Sequence, residues 1–218
     1  MAEPGPETET RIARGRHAPP LEIRLPLQRR RLLRAAAEEF AERGYSAASA
    51  ASITRRAGMS KATFYAHFQN KEDCILALYD RANEVVTGAM AEAARAVGTT
   101  DAAARLHAGT RAYLQAIAEH PEFAHTLLVE IIGAGPRALA KRDQATALFA
   151  DVLDAENASA AKRGLSPRFS SRYDALAIVG GITELVSRHV RLGEPEDVLE
   201  LAPVIDRLIE GVLTRGSS

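Results

Sequence analysis

The sequence predicts an all-α protein, with an N-terminal three-helix helix-turn-helix unit joined by a long helix to a C-terminal helical domain. Three observations lead there. Apolar residues make up 46% of 218 residues while aromatics are only 5% and Trp is absent, an alanine-rich mixture that favours helices over a β-sandwich. Apolar positions recur at threes and fours through most of the chain. Gly, Pro and Ser then punctuate those periods at intervals suited to helix ends.

Residues 1–26 hold Pro4, Pro6, Pro19, Pro20 and Pro26, have no helical period, and read as a flexible basic arm. Arg14 and Arg16 lie in its basic tract. Such an arm either reaches into a DNA minor groove or only raises non-specific attraction. The first helix is expected over 27–43, with Leu33, Ala37 and Phe40 inward. Arg29, Arg30, Arg31 and Arg34 crowd its first half, where cations oppose the helix dipole and call for an anion.

Gly44 suits the left-handed residue that ends this helix. Ser46 or Ser49 caps a short second helix carrying Ile53 and Ala57 on one face, and Gly58-Met59 makes the turn. Ser60 caps a third helix, Lys61 to Phe68, with Phe64 and Phe68 inward. Lys61, Ala62, Thr63, Tyr65, Ala66 and His67 are therefore left to face outward, as a recognition helix requires, and all but Ala66, together with the caps Ser49 and Ser60, are candidate DNA contacts. Asn70 caps the fourth helix, 71–97, roughly 40 Å long at ~1.5 Å per residue. Lys71, a cation at that helix start, is a candidate phosphate contact. Cys74 reads as a small packed thiol.

These residues resemble the TetR/AcrR family of bacterial transcription regulators: Gly44-Tyr45, Ser49, Ile53, Ala57-Gly58-Met59-Ser60-Lys61, Thr63-Phe64-Tyr65, His67-Phe68 and Lys71-Glu72. The resemblance spans about residues 27–80. The chain departs from the family pattern at Ala48, Ala50, Ala51 and Thr54, which leaves the operator sequence unreadable. It implies a DNA-binding domain at 27–71 and, over 72–218, a domain that binds a small effector and dimerises.

Charge distribution agrees with DNA binding. The whole chain carries 28 basic and 28 acidic residues, yet from Thr10 to Lys71 thirteen Lys and Arg stand against four Asp and Glu. Beyond that unit, helices are expected at 101–119, 123–132, 136–163, 167–192 and 195–213. Val179, Ile182 and Val186, with Ile205, Leu208 and Val212, form two stripes that either meet a symmetry mate as a four-helix bundle or face their own core. Gly180-Gly181 inside a helix points to close backbone approach. His107, Tyr113, Phe123, Glu130, Phe149, Asn157 and Thr183 are candidate effector contacts, mixing rings and polar groups in apolar stretches.

No nucleophile elbow, phosphate loop, dinucleotide fingerprint or H-E-x-x-H motif is present, so neither an enzyme nor a cofactor or metal is expected. One cysteine, no apolar leader and no long apolar run fit a cytoplasmic protein without a membrane span. The expected partners are a double-stranded DNA operator, a small-molecule effector and a second copy of the chain. The leading reading is a dimeric repressor released from a near-palindromic operator by its effector. An effector-independent architectural factor, or an activator, remains open.

Overall fold

The computed structural model describes residues 21–98 and 102–215. Among them are nine α-helices and no strand: α1 Leu21–Ala47, α2 Ala50–Ala57, α3 Lys61–His67, α4 Lys71–Ala96, α5 Ala102–Glu119, α6 Pro121–Leu128, α7 Pro136–Lys162, α8 Arg172–Leu192 and α9 Ala202–Arg215. Two 3₁₀ turns, Glu130–Gly133 and Val198–Leu201, precede α7 and α9. Arg14 and Arg16 lie outside the described residues.

α1 begins at Leu21, so the expected limit at residue 26 is corrected. Pro26 stands on the sixth helical position, where its missing N–H costs one intrahelical bond and the turn before it survives. At the other end Gly44 adopts φ 77°, a region closed to residues with a Cβ, and breaks the helix where the sequence indicated. α2 is capped by Ser49, whose hydroxyl accepts the Ser52 N–H while Ser52 returns the bond to the Ser49 N–H. Gly58, at φ 62°, turns the chain from α2 into α3.

Leu33, Phe40, Ile53, Phe64 and Phe68 are buried in one cluster that locks α1, α2 and α3 together. The same cluster continues through Cys74, Ile75, Leu78, Leu114, Ile131 and Ile178 into the C-terminal helices. Burial pushes the Cys74 thiol up to about 12, which leaves it inert as a nucleophile.

The start of α4 differs from expectation. Lys71 Nζ donates to the carbonyls of Tyr45 and, at 2.9 Å, Ala48, with Ser46 at 3.3 Å, and sits 4.1 Å from the centre of the Tyr45 ring. The ammonium thus satisfies carbonyls orphaned where α1 ends at Gly44. It does not stand free for a phosphate, and burial lowers its pKa.

Further on, α8 starts at Arg172 rather than 167. Ser171 and Asp174 form a reciprocal cap there, while Asn157 holds the preceding loop. Its amide donates to the Pro167 carbonyl at 2.9 Å, and its oxygen accepts from the Phe169 N–H and from Arg168, each at 2.9 Å. Asn157 is therefore a loop anchor, which removes it from the effector set.

Val186 and Ile205, expected at a dimer interface, are fully buried within the chain. Leu208 reaches Gly181 so closely that a Cβ there would lie 3.1 Å from its Cδ2, and Val212 packs on the same core. The close approach that Gly181 permits is thus between α8 and α9 of one chain. Val179 and Ile182 line an internal cavity.

Replacing Phe40 by Ala is expected to cost about 3–5 kcal/mol in denaturant unfolding, because the site cannot collapse around a lost ring. Lys71→Met should cost about 1–3 kcal/mol and leave the salt dependence of DNA binding unchanged, since its partners are carbonyls. A flattened salt slope would return Lys71 to the DNA.

Candidate nucleic-acid interface and effector cavity

α3 is short, and its placement rests on two contacts. The Ser60 hydroxyl accepts the Thr63 N–H at 3.1 Å and lies 2.9 Å from the Thr63 hydroxyl. Phe64 turns inward and meets Phe68 at 5.3 Å between ring centres. What remains outside is Lys61, Ala62, Tyr65 and Ala66, with Tyr65 58% exposed and Thr63 half-buried. The helix therefore offers one cation, one phenol and two small methyl faces to the surface.

His67 does not belong to that face. Its ring is half-buried and its Nε2 is buried without a partner. Burial, and then the nearby Arg29 guanidinium, hold its pKa below the ordinary histidine value. Arg29 also donates to the His67 carbonyl at 3.4 Å and stacks on Phe68 at 4.8 Å.

Several arginines of the basic segment are likewise engaged. Arg31 donates to the Ala57 carbonyl at the end of α2 at 3.1 Å. Arg56 is gripped by Glu39 at 3.0 Å and by Glu42, and these carboxylates hold its pKa above the arginine norm. Arg30 and Arg55 stay exposed. Sequence reasoning did not single out Arg55. Its position in the last turn of the first helix of the motif was the available signal.

Between this unit and the C-terminal helices lies a polar joint. The Tyr45 N–H donates to Glu130 Oε2, and His125 Nδ1 stands 3.5 Å from Glu130 Oε1. Arg137 Nη1 reaches Glu72 at 3.0 Å and Asp73 at 3.1 Å, and Lys141 pairs with Asp80 at 2.7 Å. Glu130, expected at an effector, instead ties the turn after α6 to the end of α1. A carboxylate there satisfies a backbone N–H that the Gly44 break leaves without a helical partner.

A cavity of about 190 Å³ runs among α4, α5, α6, α7 and α8. Its walls are largely apolar, with Val86, Met90, Leu106, Leu128, Ile178 and Ile182 prominent. Tyr113, Phe149 and Thr183 line it as the sequence suggested, and burial raises the Tyr113 phenol's pKa. His107, Phe123, Glu130 and Asn157 do not. His107 faces Asp206 across the α5–α9 contact at 3.5 Å, and Phe123 packs by His120.

Sequence reasoning missed Asn83, Arg142, Thr146 and Glu156, all on the cavity wall. Arg142, Thr146, Phe149, Leu153 and Glu156 recur at threes and fours, so α7 carried a legible face. A second, more polar cleft of about 430 Å³ lies between α1, α6 and α8, beside Glu38, Glu42 and His189. No group of three or more His, Cys, Asp or Glu among the described residues is placed to hold a metal, and no described helix is long and apolar enough to cross a membrane.

Comparison with known proteins bears on both surfaces. Residues 32–78 match the family described as "Bacterial regulatory proteins, tetR family". The HTH-type transcriptional activator FasR of Mycolicibacterium smegmatis is 39% identical over 109 residues, 49% of this chain and 48% of that protein. The chain's match thus spans about half the length of this relative. Two solved structures share the fold. The fatty acid degradation regulator FadR from Bacillus halodurans has a TM-score of 0.75 at 21% identity, covering 85% of this chain and 96% of that one. FadR from Bacillus subtilis, solved in complex with stearoyl-CoA, has a TM-score of 0.73 at 20% identity, covering 84% and 98%.

A depressed His67 pKa means that the unfolded chain binds a proton which the folded chain refuses. Stability is therefore expected to fall as pH drops below about 6.5. His67→Gln should flatten that acid-side loss in urea titrations at pH 7.5 and 5.5. An unchanged slope would show that the ring is as free to charge as in the unfolded chain.

Proposed function

We propose that this chain, whose residues 32–78 match the tetR family of bacterial regulatory proteins, is a dimeric transcriptional repressor that reads a near-palindromic operator through α3 and releases it when a small molecule fills the cavity. The observation that carries this reading is the position of α4. Its first turn is fastened to the helix-turn-helix through Lys71, and its later turns wall the cavity with Tyr79, Asn83, Val86 and Met90. One rigid element touches both sites.

On the DNA side, Tyr65, Thr63 and Ala62 meet base edges while Lys61, Arg30 and Arg55 meet phosphates. Ser49 and Ser60 cap α2 and α3, and their helix N-termini add backbone N–H groups. The arm's Arg14 and Arg16 add electrostatic attraction. A second copy sets two α3 helices about 34–36 Å apart, one turn of the duplex. Exposed apolar side chains on α7 and α8 supply a face for that copy: Leu148 at 62%, Val152 at 55% and Tyr173 at 65% exposure.

Coupling uses α6 as well as α4. Leu127 and Leu128 line the cavity, and two residues later Glu130 takes the Tyr45 N–H. A ligand that displaces these walls disturbs the ties on the helix-turn-helix. A coupling of about 1–3 kcal/mol, or 5–150-fold in operator affinity, is enough for release. The apolar walls suit a ligand with an extended hydrocarbon part, in keeping with the stearoyl-CoA bound by the Bacillus subtilis neighbour. An activator reading has one observation in its favour, the name of the 39%-identical relative. The same domains serve it, with the effector selecting the DNA-competent state.

Selection from a random duplex library is expected to return an inverted repeat, both with the full chain and with residues 1–20 deleted. Salt-sensitive binding with no motif would sink the assignment of α3 and favour an architectural role. On the recovered site, Lys61→Ala should weaken all sequences alike and reduce the salt slope by about one ion, whereas Tyr65→Ala should relax preference at particular bases. Glu130→Gln should shrink the effector-induced change in operator affinity below about 5-fold while cavity binding persists. Retention of the full change would exclude this tie from the route.

A further inference from the structure

α7 gives the cavity a direction. The residues it presents there run from Arg142 to Glu156, fourteen positions or about 21 Å along the helix. The two ends differ in charge. Glu156 is already neutralised by Arg105 at 2.9 Å. Arg142 is 31% exposed, and its ion-pair neighbour is the adjoining Asp143 at 3.9 Å, a carboxylate itself 68% exposed. At that distance, and so open to water, Asp143 compensates Arg142 weakly. The stretch between the two ends is lined by Val86, Met90, Ile178 and Ile182. The groove thus has one cation with spare hydrogen-bonding capacity, an apolar middle, and a closed ion pair at the far end.

We propose that the effector is an amphipathic anion that places its carboxylate or phosphate on Arg142, at the end of the groove nearer the DNA-binding unit, and lays its hydrocarbon chain along α7 toward the Arg105–Glu156 pair. This rests on the reading of the cavity as an effector site, and adds to it the charge and the orientation of the ligand. A guanidinium offers a planar fork that matches either anion in two parallel bonds. The opposite orientation would set an anion beside Glu156 and an apolar tail end against an uncompensated arginine. A cationic head finds no free carboxylate at the Arg142 end apart from the solvated Asp143. Placing the charged head at Arg142 also puts it next to the adjoining Lys141, which pairs with Asp80 of α4, and so close to an element that carries the helix-turn-helix.

The test is displacement of the neutral apolar dye N-phenyl-1-naphthylamine from the full chain by three ligands of equal length: dodecanoate, dodecyl phosphate and dodecanol. Dodecanoate, dodecyl phosphate or both should displace the dye about tenfold more tightly than dodecanol, the worth of a part-exposed charge-assisted hydrogen bond. Their ranking against each other separates a carboxylate from a phosphate ligand. In Arg142→Met the preference for the anions should vanish while dodecanol binding is retained, and Arg142→Lys should keep part of it. Equal displacement by anions and alcohol in the unaltered chain overturns the anionic head while leaving an effector site intact. Persistence of the preference in Arg142→Met overturns the assignment to Arg142. Failure of the dye to bind, or of every chain to displace it, overturns the effector reading together with this inference.

Discussion

The ammonium of Lys71 meets the carbonyls of Tyr45 and Ala48 at the point where α1 breaks at Gly44 and α4 begins. At the same break the Tyr45 N–H goes to the Glu130 carboxylate. A backbone interrupted inside a packed structure leaves donors and acceptors that water reaches poorly, and each must find a partner. Here the carbonyls are met from α4 and the N–H from the turn after α6. The break in α1 is therefore the place where the helix-turn-helix, the long helix and the cavity wall are joined. Motion of either α4 or α6 has a polar contact through which to act on α1.

The basic segment is less of a free electrostatic surface than its composition suggests. Arg31 and Arg29 terminate helices by holding the Ala57 and His67 carbonyls, and Arg56 is held by three glutamates of α1. These cations act first on the fold, positioning α2 and α3 on α1. Among the described residues of the segment, Lys61, Arg30 and Arg55 are exposed.

In the C-terminal half part of the apolar stripes of α8 and α9 is buried inside the chain. Val186 and Ile205 fill the core, Gly181 lets α9 approach α8, and Val179 and Ile182 face the cavity. Exposed apolar side chains are found at Leu148 and Val152 of α7 and at Tyr173, Leu176 and Leu192 of α8. Val152 also belongs to the cavity wall, so the cavity adjoins an exposed apolar side chain.

The sequence by itself determined the helices and many of their ends, though not the starts of α1 and α8. Period, caps and breakers are local, and a Gly44, a Ser49 or a Ser60 acts within four residues of its own position. The inward pair Phe64 and Phe68, and hence the outward face with Lys61, Ala62 and Tyr65, followed from spacing alone. The same local logic went astray where a side chain had a distant partner. Lys71, His67, Glu130 and Asn157 all looked available from the sequence, because nothing within one helical turn claims them. The tertiary structure gave Lys71 three carbonyls, Glu130 a backbone N–H 85 residues away, and Asn157 a loop to hold. It also decided which apolar stripe met the core and which cavity wall received Arg142. Amphipathic period states that a helix has a buried face; what covers that face depends on how the other helices cross it, a matter of long-range packing that no single window of sequence contains.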